Sequence, residues 1–113
     1  MKKFIFLVMV FVFSISILLS HPPNKVEIKY NLEKDIVDVT IYHGSNNLKK
    51  HYINEIHLWV NGRKIVKQTN LTQFEGKKQF YLYKIPNLKK GDIIQVIAKC
   101  SVYGTKKTKV EIK

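Results

Sequence analysis

Polar and apolar residues alternate along most of the chain after residue 23, and a period of two predicts β-strands. In residues 25–30, lysine and glutamate occupy every second position, with Val26, Ile28 and Tyr30 between them. The strands predicted in this way are 25–30, 36–42, 52–60, 63–68, 78–85, 93–99 and 105–112. The 3.6-residue period of a helix is almost absent from this part of the sequence. We therefore expect an all-β domain.

Turn-forming residues separate the predicted strands at regular intervals. Asn61-Gly62 is the strongest hairpin signal, because both residues tolerate the positive φ of a type I′ turn. Residues 69–76 are polar and loop-like, and Pro86-Asn87 and Gly91-Asp92 punctuate the connection before the sixth strand. Seven short strands without a helix favour a seven-stranded immunoglobulin-like β-sandwich over an up-and-down barrel.

The beginning of the chain has a different pattern. Residues 1–3, Met-Lys-Lys, give a short basic start and residues 4–19 are almost entirely apolar, which predicts a signal peptide over 1–20 and one domain over 21–113. Cleavage is expected after Ser16, where Ser14-Ile15-Ser16 fits a small-x-small site, or after Ser20, and an uncleaved anchor is the alternative. We expect a secreted or periplasmic protein with no stable membrane insertion once the signal is removed.

The chain is strongly basic, with 20 Lys and Arg residues against 8 Asp and Glu and a formal net charge of +12. Such a balance suits a nucleic acid, an anionic membrane or a small anion. The lysines come as scattered pairs, however, which is typical of a solubilising surface. The predicted export also argues against a nucleic-acid partner.

Three of the four histidines and the only cysteine lie where predicted strands begin or end, namely His21, His43, His51 and Cys100. If successive strands run antiparallel, these four positions fall at one end of the fold. Imidazole nitrogens and a thiolate are suitable ligands for a transition metal. The alternatives for the single cysteine are an inert buried thiol and an intermolecular disulfide.

The remaining histidine, His57, is predicted to lie outside this group. Ile56, Leu58 and Val60 form the apolar face of the third strand, so His57 points away from that face together with Glu55. We expect it to be solvated.

The segment from His43 through His51-Tyr52-Ile53 to Asn61-Gly62 resembles superoxide reductases of the desulfoferrodoxin and neelaredoxin type. His21-Pro22-Pro23 is similar to that family's first histidine motif, and residues 99–104 are similar to its cysteine motif. The family's seven-stranded immunoglobulin-like sandwich agrees with the strand count. In that family four equatorial histidines and an axial cysteinate hold a mononuclear ferrous ion, with one position open for superoxide. The resemblance implies that His21, His43 and His51 are equatorial ligands and that Cys100 is the axial thiolate.

The chain departs from the family's pattern at several positions. The family's fourth histidine stands where this chain has Tyr103, which is expected to ligate, to hydrogen-bond or to mark a lost ligand. The family's Glu-Lys pair before the first histidine is absent, and the loop between His43 and His51 is longer. If cleavage occurs after Ser20, the free α-amine of His21 offers a replacement nitrogen, and such a set favours copper.

These residues lead to three hypotheses. The first is an exported superoxide reductase-like protein with a mononuclear non-haem iron site, which takes superoxide as substrate and needs an external electron donor. The second is a non-catalytic periplasmic protein that holds copper or zinc. The third is an immunoglobulin-like interaction module in which the metal site has decayed.

Overall fold

Seven β-strands form the protein, and the computed structural model describes them within residues 23–113. The strands are β1 (Lys25–Asn31), β2 (Ile36–Tyr42), β3 (Ile53–Val60), β4 (Arg63–Thr69), β5 (Lys78–Lys84), β6 (Ile93–Cys100) and β7 (Thr105–Glu111). Their ends differ from the predicted bounds by at most one residue. The proposed signal peptide over 1–20 lies outside the described residues. Within 23–113, no helix has the length and apolar character needed to cross a bilayer.

The strands form two antiparallel sheets that face each other. One sheet has the order β1-β2-β5 and the other the order β4-β3-β6-β7. The hairpins β1–β2, β3–β4 and β6–β7 each stay within one sheet, whereas the three other connections pass from one sheet to the other. The predicted immunoglobulin-like sandwich is therefore confirmed, and the barrel alternative is excluded.

The core consists of the inward-facing residues of both sheets. Val37, Val39 and Ile41 of β2 have no exposed surface, and neither do Ile56 and Leu58 of β3. Because side chains alternate across a strand, the polar residues between these positions point outward. Burial of each valine or isoleucine contributes roughly 1.5–3 kcal/mol, so this alternation is what holds the two sheets together.

The edge strand β5 presents its tyrosines to the core rather than its most apolar residues. Tyr81 and Tyr83 pack against the core, whereas Phe80 and Leu82 are 44% and 68% exposed. The hydroxyl of Tyr83 donates to Oε1 of Gln68 at 2.7 Å across the sandwich, which satisfies its buried oxygen. Burial raises the pKa of the Tyr83 hydroxyl, so this group remains a donor.

The Asn61-Gly62 turn fixes the register of β6 from the far end of the sandwich. Asn61 and Gly62 have φ values of 50° and 79°, as the predicted type I′ turn requires. The side chain of Asn61 donates to Asp92 Oδ1 at 3.0 Å and accepts from the Ile93 N–H at 2.9 Å. With its first residue held in this way, β6 runs antiparallel to β3 and ends at the other end of the sandwich.

Candidate metal centre

His43 lies directly after β2, and main-chain hydrogen bonds continue the sheet past it. The His43 N–H donates to the Lys77 carbonyl at 2.9 Å, and the Ser45 N–H donates to the Gly76 carbonyl at 2.8 Å. The main chain of Gly76 lies close to that of Ser45: a Cβ at position 76 would be only 2.9 Å from the Ser45 carbonyl oxygen. The backbone of His43 is therefore fixed to the segment that precedes β5.

His51 ends the loop that connects the two sheets, and that loop is braced from within. The His51 N–H donates to the Asn47 carbonyl at 2.8 Å, and the His51 carbonyl accepts a hydrogen bond from the Ser45 hydroxyl. The hydroxyl of Thr72 adds a contact from outside the loop, donating to the Leu48 carbonyl at 2.9 Å. The loop therefore holds His51 in a defined position beside His43.

Cys100 is the last residue of β6 and lies opposite Ile53, the first residue of β3. Its N–H donates to the Gly104 carbonyl at 3.0 Å, which closes a turn in which Gly104 has a φ of 99°. The Val102 N–H points at Cys100 Sγ from 3.5 Å. The sulfur, which is the atom that would bind a metal, therefore has one main-chain N–H donor beside it.

The side chains of His43, His51 and Cys100 converge at this end of the sandwich. A ligand atom from each lies within 4.8 Å of the other two. The two imidazole rings are 4.6 Å apart between centroids and nearly perpendicular, with an interplanar angle of 83°. His43 is 1% exposed, Cys100 is 9% exposed and unpaired with another cysteine, and His51 is half-buried.

This donor set fits a transition-metal ion. Metal–nitrogen and metal–sulfur bonds of about 2.0 and 2.3 Å allow one ion to reach two atoms roughly 4 Å apart, so small side-chain movements are sufficient. Within residues 23–113, Nε2 of His43 is buried and makes no hydrogen bond, which is costly unless another partner occupies the position. Imidazole and thiolate are ligands that zinc, copper and iron all accept.

Gln73 supports His43 from the loop between β4 and β5. Its Oε1 lies 2.7 Å from His43 Nδ1, and its Nε2 donates to the His43 carbonyl at 2.7 Å. Sequence analysis did not identify Gln73, because a glutamine in a polar loop carries no signal of its own. Only the fold shows that this residue is buried among exposed neighbours.

Two other predicted site residues are not part of the described cluster. His21 lies outside the described residues, so its role as a ligand stays a prediction. Tyr103 lies on the turn after Cys100 and is 63% exposed, so most of its ring is in solvent. Its role as a replacement ligand also stays a prediction.

His57 is outside the cluster, as predicted, but it is not solvated. It points away from the core on the outer face of its sheet and is nevertheless only 7% exposed, on a strand that is paired on both sides, opposite Lys67 and Ile97. Its Nε2 lies 3.3 Å from Glu55 Oε1. The hydrogen bond with His57 and the nearby Lys99 together lower the pKa of the Glu55 carboxyl, despite an opposing contribution from desolvation.

An open cavity of about 510 Å³ lies against His51. It is lined by polar side chains and main chain of two loops, contributed by Gly44, Ser45, Asn46, Asn47, His51, Gly76 and Lys77. Lys77 is the one charged residue among these lining residues, and it is exposed. The cavity thus offers a small polar molecule, and an anion in particular, an approach to the half-buried edge of the cluster.

Comparison with known proteins supports the fold. No protein-family model matches the chain, and no curated protein matches it by sequence. Among solved structures, a superoxide reductase from Giardia intestinalis aligns with a TM-score of 0.58 and 19% identity, over 80% of this chain and 99% of that one. A neelaredoxin-type superoxide reductase from Ignicoccus hospitalis aligns with a TM-score of 0.53 and 20% identity, over 88% of this chain and 84% of that one. The described domain therefore shares the fold of superoxide reductases.

Proposed function

We propose that this protein binds a single transition-metal ion through His43, His51 and Cys100 and that, with ferrous iron, it reduces superoxide to hydrogen peroxide. The observation that carries the proposal is the convergence of the three ligand atoms within 4.8 Å at one end of the sandwich. The shared fold with superoxide reductases supports the choice of reaction. Bound ferrous iron would supply one electron, and superoxide takes up that electron together with two protons to become hydrogen peroxide. An external donor returns the electron.

The chain's own residues exclude water from the proposed ligands, supply positive charge and leave an opening for the substrate. Burial of Cys100 and His43 keeps bulk water away from two of the three proposed ligands, and the Val102 N–H is directed at the sulfur of Cys100. The cavity beside His51 admits a small anion, and the positive charge of Lys77 at its wall favours superoxide over neutral molecules. The excess of Lys and Arg over Asp and Glu, which remains when residues 1–20 are removed, raises the encounter rate with an anionic substrate.

We also propose that His21 supplies a further nitrogen ligand. The Asn24 N–H donates to the Tyr42 carbonyl at 2.8 Å, so the chain enters β1 directly beside His43. The few residues between His21 and Asn24 suffice to span a short distance at this end of the fold. An exported protein with His21 as its N-terminus would offer both an imidazole and an α-amine.

Purification under anaerobic conditions, followed by metal analysis and visible spectroscopy, tests the metal site. We expect about one equivalent of iron after reconstitution with ferrous iron and a thiolate-to-iron charge-transfer band after oxidation. Cys100→Ser should remove the band. His57→Gln is the matched control, since this histidine lies outside the cluster, and it should keep both the iron and the band. Absence of bound metal from the wild-type protein would contradict the proposal.

Rapid-mixing assays with superoxide test the reaction. Reduction gives one hydrogen peroxide per superoxide consumed, whereas dismutation gives one per two, so the peroxide yield separates the two reactions. We expect the reductive yield when an electron donor is present and no reaction above the uncatalysed rate for Cys100→Ser.

A second candidate function is binding of copper or zinc without turnover. It is favoured by the set of three described donors, two imidazoles and one thiolate, which is sufficient for either ion. Competition between zinc, copper and iron, with metal content measured at equilibrium, distinguishes the two candidates. A tightly bound zinc or copper ion with no superoxide reduction in the iron form would establish the second.

Export is proposed as the setting for either function. N-terminal sequencing of the protein from a fractionated host tests it. A chain that starts at His21 in the exported fraction agrees with the proposal, whereas an intact chain in the cytoplasm contradicts it.

A further inference from the structure

Gln73 is a buried side chain in an otherwise exposed loop. It is 2% exposed, whereas Leu71 and Phe74 in the same loop are 86% and 74% exposed. A primary amide that is removed from water is costly unless its hydrogen-bonding groups find partners. The partners of this amide therefore determine which way it points.

The two hydrogens of the Gln73 amide both go to main-chain carbonyls. Nε2 lies 2.7 Å from the His43 carbonyl oxygen and 2.6 Å from the Glu75 carbonyl oxygen. Carbonyl oxygens only accept hydrogen bonds, so the opposite orientation would place the amide oxygen against two other oxygens. The amide is therefore fixed with Oε1 toward the ring of His43.

The orientation of the amide decides where the proton of His43 lies. Oε1 of Gln73 is 2.7 Å from His43 Nδ1 and can only accept, so Nδ1 must carry the hydrogen. In the neutral ring the lone pair is then on Nε2. This atom is buried and has no hydrogen-bond partner among the described residues, and its ring stands against that of His51.

We propose that Gln73 is a positioning residue that holds His43 in the Nδ1–H tautomer and so presents the lone pair of Nε2 to the metal. The inference rests on the proposed metal-binding function and deepens it. Gln73 contacts both the ring and the main-chain carbonyl of His43, so it restrains the ring's rotation as well as its proton. Such outer contacts of a metal-ligating histidine commonly change metal affinity by about 10–100-fold.

Long-range ¹H–¹⁵N NMR of the reduced, metal-free protein tests the tautomer directly. We expect the ¹⁵N signals of His43 to show a protonated Nδ1 and an unprotonated Nε2. In the zinc-loaded protein, Nδ1 should keep its proton and the Nε2 signal should shift on zinc binding. A His43 that carries its proton on Nε2 in the metal-free wild type would overturn the inference.

Gln73→Met tests the consequence, because methionine has a similar length but can neither accept from Nδ1 nor donate to the carbonyls. We expect zinc affinity, measured by competition with a chromophoric chelator, to fall by roughly 10–100-fold, with loss of the single tautomer. Leu71→Met is the matched control: it introduces the same residue into the same loop, but at a side chain that is 86% exposed, so zinc affinity and tautomer should stay as in the wild type. Unchanged affinity and tautomer in Gln73→Met would also overturn the inference.

The two proposals can fail separately. A wild-type protein that binds zinc through an Nδ1-protonated His43 but does not reduce superoxide would remove only the proposed reaction. If Gln73→Met does not fold, the wild-type spectra still decide the tautomer.

Discussion

Ser101 and Tyr52 exchange two hydrogen bonds that join the residues flanking the candidate metal centre. The Ser101 N–H donates to the Tyr52 carbonyl at 2.8 Å, and the Tyr52 N–H donates to the Ser101 hydroxyl at 3.0 Å. Tyr52 follows His51 directly, and Ser101 follows Cys100. The spacing between His51 and Cys100 is therefore held by main chain and one hydroxyl.

Replacing this hydroxyl should loosen the site. Ser101→Ala leaves the Tyr52 N–H and the Lys50 carbonyl without their side-chain partner, and we expect a loss of about 1 kcal/mol in the free energy of unfolding. Zinc affinity should fall as well, because the distance between His51 and Cys100 becomes less restrained. Urea denaturation and chelator competition measure the two effects. Thr105→Ala, an exposed position in the same part of the chain, is the control and should change neither quantity.

The close approach of Gly76 to Ser45 leads to a second prediction. In Gly76→Ala the new Cβ meets the Ser45 carbonyl oxygen at 2.9 Å, and a main-chain atom cannot move aside cheaply. We expect a loss of roughly 1–3 kcal/mol in the free energy of unfolding, together with weaker zinc binding, because Ser45 and His43 are held on the same segment. Gly44→Ala is the control, since no atom lies within 4 Å of its Cβ. Equal stability of the two variants in urea denaturation would contradict the described approach.

A core hydrogen bond that involves none of the three clustered residues should affect stability without affecting the metal. Tyr83→Phe removes the hydroxyl that donates to Gln68 Oε1 and should cost about 1 kcal/mol in the free energy of unfolding. Metal content and zinc affinity should remain as in the wild type. A loss of bound metal in this variant would show that the core and the site are coupled more tightly than the described contacts indicate.

Acid stability should depend on Glu55. Its pKa is lowered from 4.5 in the folded protein, chiefly by the hydrogen bond with His57 and further by Lys99 and Lys67. A carboxylate with a depressed folded pKa stabilises the fold above its unfolded pKa, and this contribution is lost as the pH falls through the folded value. Glu55→Gln should therefore show a smaller loss of stability than the wild type on acidification from neutral pH to below 4.5. Urea midpoints across that range measure the difference, with Glu27→Gln as the control for removing one surface carboxylate.

The sequence predicted the fold well because strand alternation and turn-forming residues are both local signals. Alternation of residue types set the strands, and Asn61-Gly62 set a turn whose positive φ values few other residue pairs accept. The placement of His43, His51 and Cys100 at one end of the fold followed from strand direction, since a residue at a strand end stays at that end whatever the register. Their separation in ångströms depends on loops, which the pattern does not specify.

The parts that sequence analysis missed depend on contacts between distant segments. Gln73 is buried because the loop that carries it folds over His43, thirty positions away in the chain. His57 was expected to be solvated because it faces away from the core, but it lies on a strand with neighbours on both sides and is only 7% exposed. A residue on the outer face of a central strand can still be buried, because long side chains on the strands at either side exclude water from it.

The position of the three ligand atoms at the ends of different strands has a consequence for folding kinetics. His43 and Cys100 are far apart in sequence, and the connection from β2 to β3 and the pairing of β3 with β6 must both form before they meet. Contacts of this kind close late, because the loop entropy between them is lost before any gain is made. Added metal should therefore leave the refolding rate almost unchanged and slow unfolding instead. The ion would stabilise the folded domain without taking part in its formation.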